Sequence, residues 1–240
     1  MFFSVATALC FSIGFFFESI FGFGGGLIAY SILGFLVDVK NMVLAGLYIG
    51  TLSSLYIAIS SRAYFDKKIF IKLLPISLIG SVAGVYIFLY FSERILLVFF
   101  GFILLILSIR LIFFDKYKIP KFVKHKFLFF GAISQGAFGI GGPFIVSFIN
   151  DDFKSKSALR ATMALYFVFC NIIRIIQMYF SKILKIDFFA GILWTIIPVF
   201  IAIFFGHKVH LKISDKTFKL GVAIITLMAS INFMFKAFYR

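Results

Sequence analysis

Leu96–Leu107 reads LLVFFGFILLIL, a run apolar on every face. It belongs to one of eight such stretches, at roughly 1–37, 42–61, 69–91, 95–114, 127–149, 158–180, 186–206 and 217–238. A helix needs about 20 apolar residues to cross the hydrocarbon core of a bilayer. A barrel strand would instead alternate apolar and polar residues over about 10 positions. The runs therefore predict an all-α, polytopic integral membrane protein. Composition agrees: 62% of the 240 residues are apolar and 14% are charged, whereas a soluble domain is nearer half and a quarter. A soluble enzyme, a disordered chain and a nucleic-acid-binding domain are excluded as readings. The partners expected are a lipid bilayer and a small anionic substrate, with no nucleic acid; a homo-oligomer is compatible with the sequence.

The net charge of +15 comes from Lys and Arg lying mostly between the apolar runs, the pattern of membrane loops. Eight of the nine acids fall in or beside loops; only Glu18 lies inside an apolar run. Cys10 and Cys170 sit within hydrophobic stretches and fit small packing residues, with no disulfide framework or metal spacing. No metal and no cofactor is expected. The first basic residue is Lys40, so the charged start of a cleavable signal is missing and segment 1–37 is expected in the mature protein.

The polar stretch 115–126, DKYKIPKFVKHK, divides the chain into a first transmembrane repeat (1–114), a basic connecting loop (115–126) and a second repeat (127–240). Phe21-Gly22-Phe23-Gly24-Gly25-Gly26-Leu27-Ile28 aligns with Phe138-Gly139-Ile140-Gly141-Gly142-Pro143-Phe144-Ile145 at an offset of 117, which also pairs Glu18 with Gln135. Leu74-Pro75 then matches Ile197-Pro198, and Ser92-Glu93-Arg94 matches Ser214-Asp215-Lys216, at offsets of 122–123. Internal duplication is a recurrent plan of secondary transporters, with the binding site between the repeats.

Clustered glycines disfavour a regular helix, each costing roughly 1 kcal/mol against Ala, and Pro143 removes a backbone donor. Broken backbone at membrane depth persists only when buried in protein or lining a watery cavity. A fresh helix after the break presents unpaired N–H groups that attract anions. The first and fifth segments are therefore expected to be broken or re-entrant at the glycine motifs. Gly24, Gly25, Gly26, Gly141, Gly142 and Pro143 become candidates for substrate-binding backbone. The competing reading of the glycines is close helix packing.

The paired motifs FGFGGGLI and FGIGGPFI, each opening one half of a small eight-segment membrane protein, resemble the TauE/SafE family of sulfite exporter-like permeases. Leu159-Arg160-Ala161-Thr162 is similar to the family's pattern as well. The first motif departs from a common form, in which a Pro follows the glycines; here Ile28-Ala29-Tyr30-Ser31 supplies none. The resemblance implies a permease exporting a small anion, sulfite or an organosulfonate, by a proton- or potential-driven secondary mechanism. It implies a multi-pass protein of the bacterial inner (plasma) membrane. The alternatives are an intramembrane enzyme, against which stand the missing His/Asp cluster, Ser-His pair and metal spacing, and an accessory membrane subunit.

Among side chains, Glu18 is the candidate for carrying a coupling proton, since intramembrane acids are functional candidates by default; capping exposed backbone donors is the competing role. Gln135 would line the same cavity. Arg174, with Asn171 and Gln177 three residues to either side, could bind an oxyanion through planar paired donors or snorkel to the interface near Lys182. Arg160 marks a loop edge on structural grounds, and the family pattern adds it to the substrate-binding set. The Tyr residues and Trp194 read as interface or packing aromatics.

Two topologies fit. Eight full crossings place 15 Lys+Arg on the side of the termini and 9 opposite; re-entrant first and fifth segments leave six crossings and a split of 17 against 7, with the termini on the poorer side. The second makes the repeats inverted and is slightly favoured.

Overall fold

The computed structural model describes residues 2–21, 24–113, 121–149, 152–153, 155–208 and 215–239. Every regular element among them is helical. The first half comprises α1 (Phe2–Phe21), α2 (Gly25–Leu33), α3 (Val39–Ser60), α4 (Lys67–Tyr90) and α5 (Glu93–Phe113). The second comprises α6 (Lys121–Phe138), α7 (Gly142–Ile149), α8 (Lys156–Phe180), α9 (Ile186–Ile192), α10 (Ile196–Lys208) and α11 (Asp215–Tyr239). Seven helical stretches are long and apolar enough to cross a membrane, α9 and α10 counting as one with the 3₁₀ turn Leu193–Thr195 between them. Outward faces such as Ile79, Val82 and Tyr86 on α4 are apolar and exposed, as lipid requires.

Loop acids start helices. The Asp38 side chain accepts the Asn41 N–H at 2.8 Å and Asp66 accepts the Ile69 N–H at 3.0 Å. Ser155 does the same for α8 through the Ala158 N–H at 3.1 Å. Each satisfies an N-terminal donor the helix cannot. Hydroxyls inside the spans bond back onto their own helix: Ser77 to the Leu73 carbonyl and Thr226 to the Val222 carbonyl, both at 2.6 Å. One boundary differs from the sequence reading. α6 begins at Lys121, inside the stretch 115–126 read as a connecting loop. The lysines that looked like loop composition occupy the first turns of the helix.

The chain doubles back at both glycine motifs. α2 returns antiparallel along α1: Gly14 lies against Gly25 and Ala29, and the Phe11 and Tyr30 rings meet edge-on at 5.7 Å. α7 returns along α6, with Gly131 against Phe144, Ile145 and the Gly141 carbonyl. Both motifs thus break the helix and turn it back as a hairpin, the break expected at the glycines. At the open end of the first hairpin, Lys236 Nζ donates to the Gly34 carbonyl at 2.7 Å, a cation where the α2 dipole ends negative.

Each hairpin docks on the other half. α1 runs along α10 and α6 runs along α4. A Cβ at Gly206 would collide with the Phe16 carbonyl, and one at Gly84 with the Ile133 carbonyl. Gly84 and Gly206 are 122 residues apart and Phe16 and Ile133 are 117 apart, the same two offsets that align the halves. Between the hairpins α3 and α8 pack antiparallel, Gly50 facing Asn171 while the Asp66 N–H donates to Thr162 Oγ1 at 3.0 Å.

Candidate functional site

Both returning helices start from a break that glycine permits. Gly24 has φ 95° and Gly139 φ 78°, left-handed values that residues with a Cβ rarely adopt. Gly22 and Phe23 of the first motif lie outside the described residues. The two breaks meet, a Cβ on Gly26 lying 3.6 Å from the Gly139 carbonyl oxygen.

Each new helix is held by a side chain of its parent. Glu18 Oε2 accepts the Gly25 N–H at 2.7 Å. Gln135 Oε1 accepts the Gly141 N–H at 3.0 Å. Gly25 and Gly141 thereby lie behind the site, their donors occupied. The remaining N–H groups of the first turn of each short helix have no intrahelical partner.

A cavity of about 50 Å³ opens where the hairpin tips face α3 and α8. The first hairpin lines it with Glu18, Gly24, Gly26, Leu27 and Tyr30, and with Phe11 and Phe15 from α1. The second contributes Gln135, Gly139, Ile140, Gly142 and Pro143. α3 adds Gly46, Gly50 and Ser54, and α8 adds Phe167, Asn171 and Arg174. Gly50 stands near the middle of α3, so the cavity lies level with the middle of that helix.

Arg174 is the charged group that defines this cavity. It is 1% exposed, which removes snorkelling to the interface as its role. Its Nη1 donates to Asn171 Oδ1 at 3.2 Å, and the guanidinium lies against Gly139, where a Cβ would be 2.9 Å from Nη1. Nε and Nη2 are buried without a hydrogen-bond partner among the described residues. A buried cation with unsatisfied donors is costly, and such groups persist where a ligand or function requires them. An anion in the cavity would supply what is missing.

The other two candidates stand apart. Gln177 does not line the cavity; six residues on from Asn171, about 600° of helical turn has carried it off that face. Its Oε1 is buried and has no hydrogen-bond partner among the described residues. Arg160, near the start of α8, is also outside the lining but interacts electrostatically with Glu18 and with Tyr56.

Sequence reasoning missed the α3 wall and Tyr30. The signal for the wall was present: Gly46, Gly50 and Ser54 recur every four residues, a small-residue stripe on one face of α3. Tyr30, read only as an interface or packing aromatic, is 2% exposed and points its hydroxyl at Gly46. Trp194 by contrast is exposed on the outer surface.

A family model described as Sulfite exporter TauE/SafE matches residues 6–233, nearly the whole chain. No curated protein and no solved structure matches it.

Proposed function

The chain belongs to the TauE/SafE family of membrane transporters, and on that premise we propose that it exports sulfite, or an organosulfonate, across the bacterial plasma membrane by a secondary mechanism. The observation that carries the reading is Arg174, a fully buried guanidinium that lines the cavity and has two nitrogens without a hydrogen-bond partner among the described residues. Guanidinium offers an oxyanion planar, paired, charge-assisted donors. The N-terminal turns of α2 and α7 add partial positive charge. Gly26 and Gly142 bring backbone to the cavity without a side chain in the way.

Size favours sulfite between the two cargoes. A water needs roughly 10–15 Å³ by the same measure of cavity volume, so about 50 Å³ holds a handful of heavy atoms. Sulfite, one sulfur and three oxygens, meets that limit; a sulfonate with a carboxymethyl tail requires the cavity to widen. The driving force needs no further device for export. With the cell interior negative, each unit of negative charge leaves with a gain of about 2.3 kcal/mol per 100 mV. Glu18 in the same cavity is our candidate for coupling a proton to that movement.

The proposed orientation takes both hairpins as re-entrant. With α1–α2 and α6–α7 taken as re-entrant, 17 Lys+Arg gather on one face and 6 on the other, the buried Arg174 belonging to neither; the richer face is cytoplasmic by the positive-inside rule. The packing of α1 on α10 and α6 on α4, with glycines at matched offsets, supports two inverted repeats rocking around a fixed site, the plan of many secondary transporters.

The experiment is flux of radiolabelled sulfite in proteoliposomes holding the purified protein, with an imposed membrane potential. Potential-driven sulfite movement is expected, competed by sulfoacetate more weakly than by unlabelled sulfite. Export of chemically unchanged sulfite also separates a transporter from an intramembrane enzyme. Liposomes that hold correctly folded protein yet move neither sulfite nor sulfoacetate would refute the proposal.

A further inference from the structure

The two halves of the cavity are built alike and charged differently. On α1 a glutamate holds the first N–H of α2, that of Gly25; on α6 a glutamine holds the N–H of Gly141, the residue just before α7. The α2 N-terminus, the kind of site that otherwise attracts an anion, is therefore already met by a carboxylate of the protein itself. The α7 N-terminus is met by a neutral amide oxygen. Arg174 sits on the α7 side, its guanidinium against Gly139 at the entry to α7, with Nε and Nη2 unpartnered.

We propose that Glu18 is a tethered anion filling the α2 side of the cavity, and that it confines the transported anion to the α7 side, against Arg174, and keeps a second anion out. The inference rests on the reading of this cavity as the transport site. Three observations carry it. The carboxylate is 7% exposed and engaged with the Gly25 N–H at 2.7 Å, so it occupies the place a substrate oxygen would take on α2. The guanidinium that carries the two vacant donors places its Nη1 against Gly139 of the other hairpin. Arg160, the basic group interacting electrostatically with Glu18, lies outside the lining and gives the carboxylate a counter-charge away from the substrate seat.

A second anion entering near α2 while Glu18 is deprotonated would meet a negative charge in a poorly solvated space, where Coulomb repulsion is several times stronger than in water. Glu18 thus sets both position and number: one oxyanion, on the Arg174 side. The arrangement is negative selection within a duplicated site, discriminating by an unfavourable contact as well as by favourable ones.

The test is equilibrium binding of radiolabelled sulfite to the purified full-length protein in detergent, for wild type, Glu18→Gln, Gln135→Glu and the double exchange Glu18→Gln/Gln135→Glu. All three variants keep an acceptor for the Gly25 or Gly141 N–H. Glu18→Gln should tighten sulfite binding on the order of tenfold, the scale of unit-charge repulsion across a cavity at an effective dielectric near 20. Gln135→Glu should weaken it by at least as much. The double exchange conserves total charge but moves the carboxylate next to Arg174, and it should bind more weakly than wild type. Unchanged affinity in Glu18→Gln overturns the proposal, even if the other variants fail to fold. Wild-type affinity in the double exchange overturns the claim of position, because only net charge would then matter. If folded wild-type protein binds no sulfite at all, the transport-site reading falls and this inference with it.

Discussion

Arg174→Leu sets function against stability, because the side chain has almost no structural partner. The guanidinium is buried at 1% exposure, makes one hydrogen bond, to Asn171 at 3.2 Å, and pairs with no carboxylate among the described residues. Replacing a buried, poorly compensated ion by an apolar side chain removes an uncompensated charge that is costly to hold in the interior. Thermal unfolding in detergent should therefore show a midpoint equal to wild type or higher. Sulfite binding should behave oppositely. Nε and Nη2 can give an oxyanion two charge-assisted hydrogen bonds, each worth about 1.5–3 kcal/mol, so losing both costs roughly 3–6 kcal/mol, or about 10²–10⁴ in affinity. Arg174→Lys keeps the charge and loses the planar fork; it should forfeit about one such bond, roughly 10–100-fold, with some transport persisting. A binding isotherm and a melting curve on the same preparations decide the matter. Wild-type sulfite affinity in Arg174→Leu would refute the anion role. A melting point lowered by Leu and restored by Lys would make Arg174 a structural cation instead.

Three further outcomes follow from the geometry. Gly142→Leu should abolish sulfite flux while the protein still inserts and folds, because even its Cβ would press at 3.0 Å on the Phe167 ring and the rest would enter the cavity; Gly25→Leu should do so by displacing Glu18, whose Oε2 stands 2.6 Å from the added Cβ. Normal flux in both would return the motifs to helix packing. Gly84→Ala and Gly206→Ala should each lower thermal stability by about 1–3 kcal/mol through overpacking, since the added methyl meets backbone carbonyls that cannot move aside; unchanged melting would deny the tight docking of the hairpins. Glu18→Gln should make sulfite flux indifferent to an imposed pH gradient while binding persists, and a retained pH response in proteoliposomes would remove Glu18 as the proton carrier.

Much of this architecture was readable because lipid simplifies the code. A run such as Leu96–Leu107 has one stable solution in a bilayer, a helix with all its backbone paired within itself. The glycine motifs announced their breaks because four glycines in five positions, or Gly-Gly-Pro, cannot continue a span. Glu18, Gln135, Asn171 and Arg174 stood out as polar groups where burial is expensive, and the fold gathers them at one cavity. Other features need three dimensions. Gly46 and Gly50 sit in an unbroken helix, and only the arrival of Tyr30 and α8 makes them a wall. Arg160 and Gln177 share α8 with Arg174, yet helical rotation and rise keep both out of the lining. The start of α6 was obscured because Lys serves equally in a loop and in an exposed first turn.

On our reading of the two halves as repeats of one frame, the chemistry lies where they differ. The N-caps Asp38 and Ser155 keep the offset of 117, so positions on α3 and α8 can be compared directly. Gly50 then corresponds to Phe167 and Ser54 to Asn171, and all four line the cavity. Three residues on, Ile57 corresponds to Arg174, both buried. Glu18 corresponds to Gln135. Each half therefore carries one charge at a position where its counterpart is neutral: the first half a carboxylate, the second a guanidinium. Were both halves to carry Arg, a single monoanion could not neutralise the pair, and the cost of the unbalanced buried cation would oppose occupancy and release alike. Were both to carry Glu, the cavity would repel its cargo. One of each, held apart on separate hairpin frames, leaves a site near neutrality when empty and biased toward one oxyanion on one side, loose enough to release what it binds.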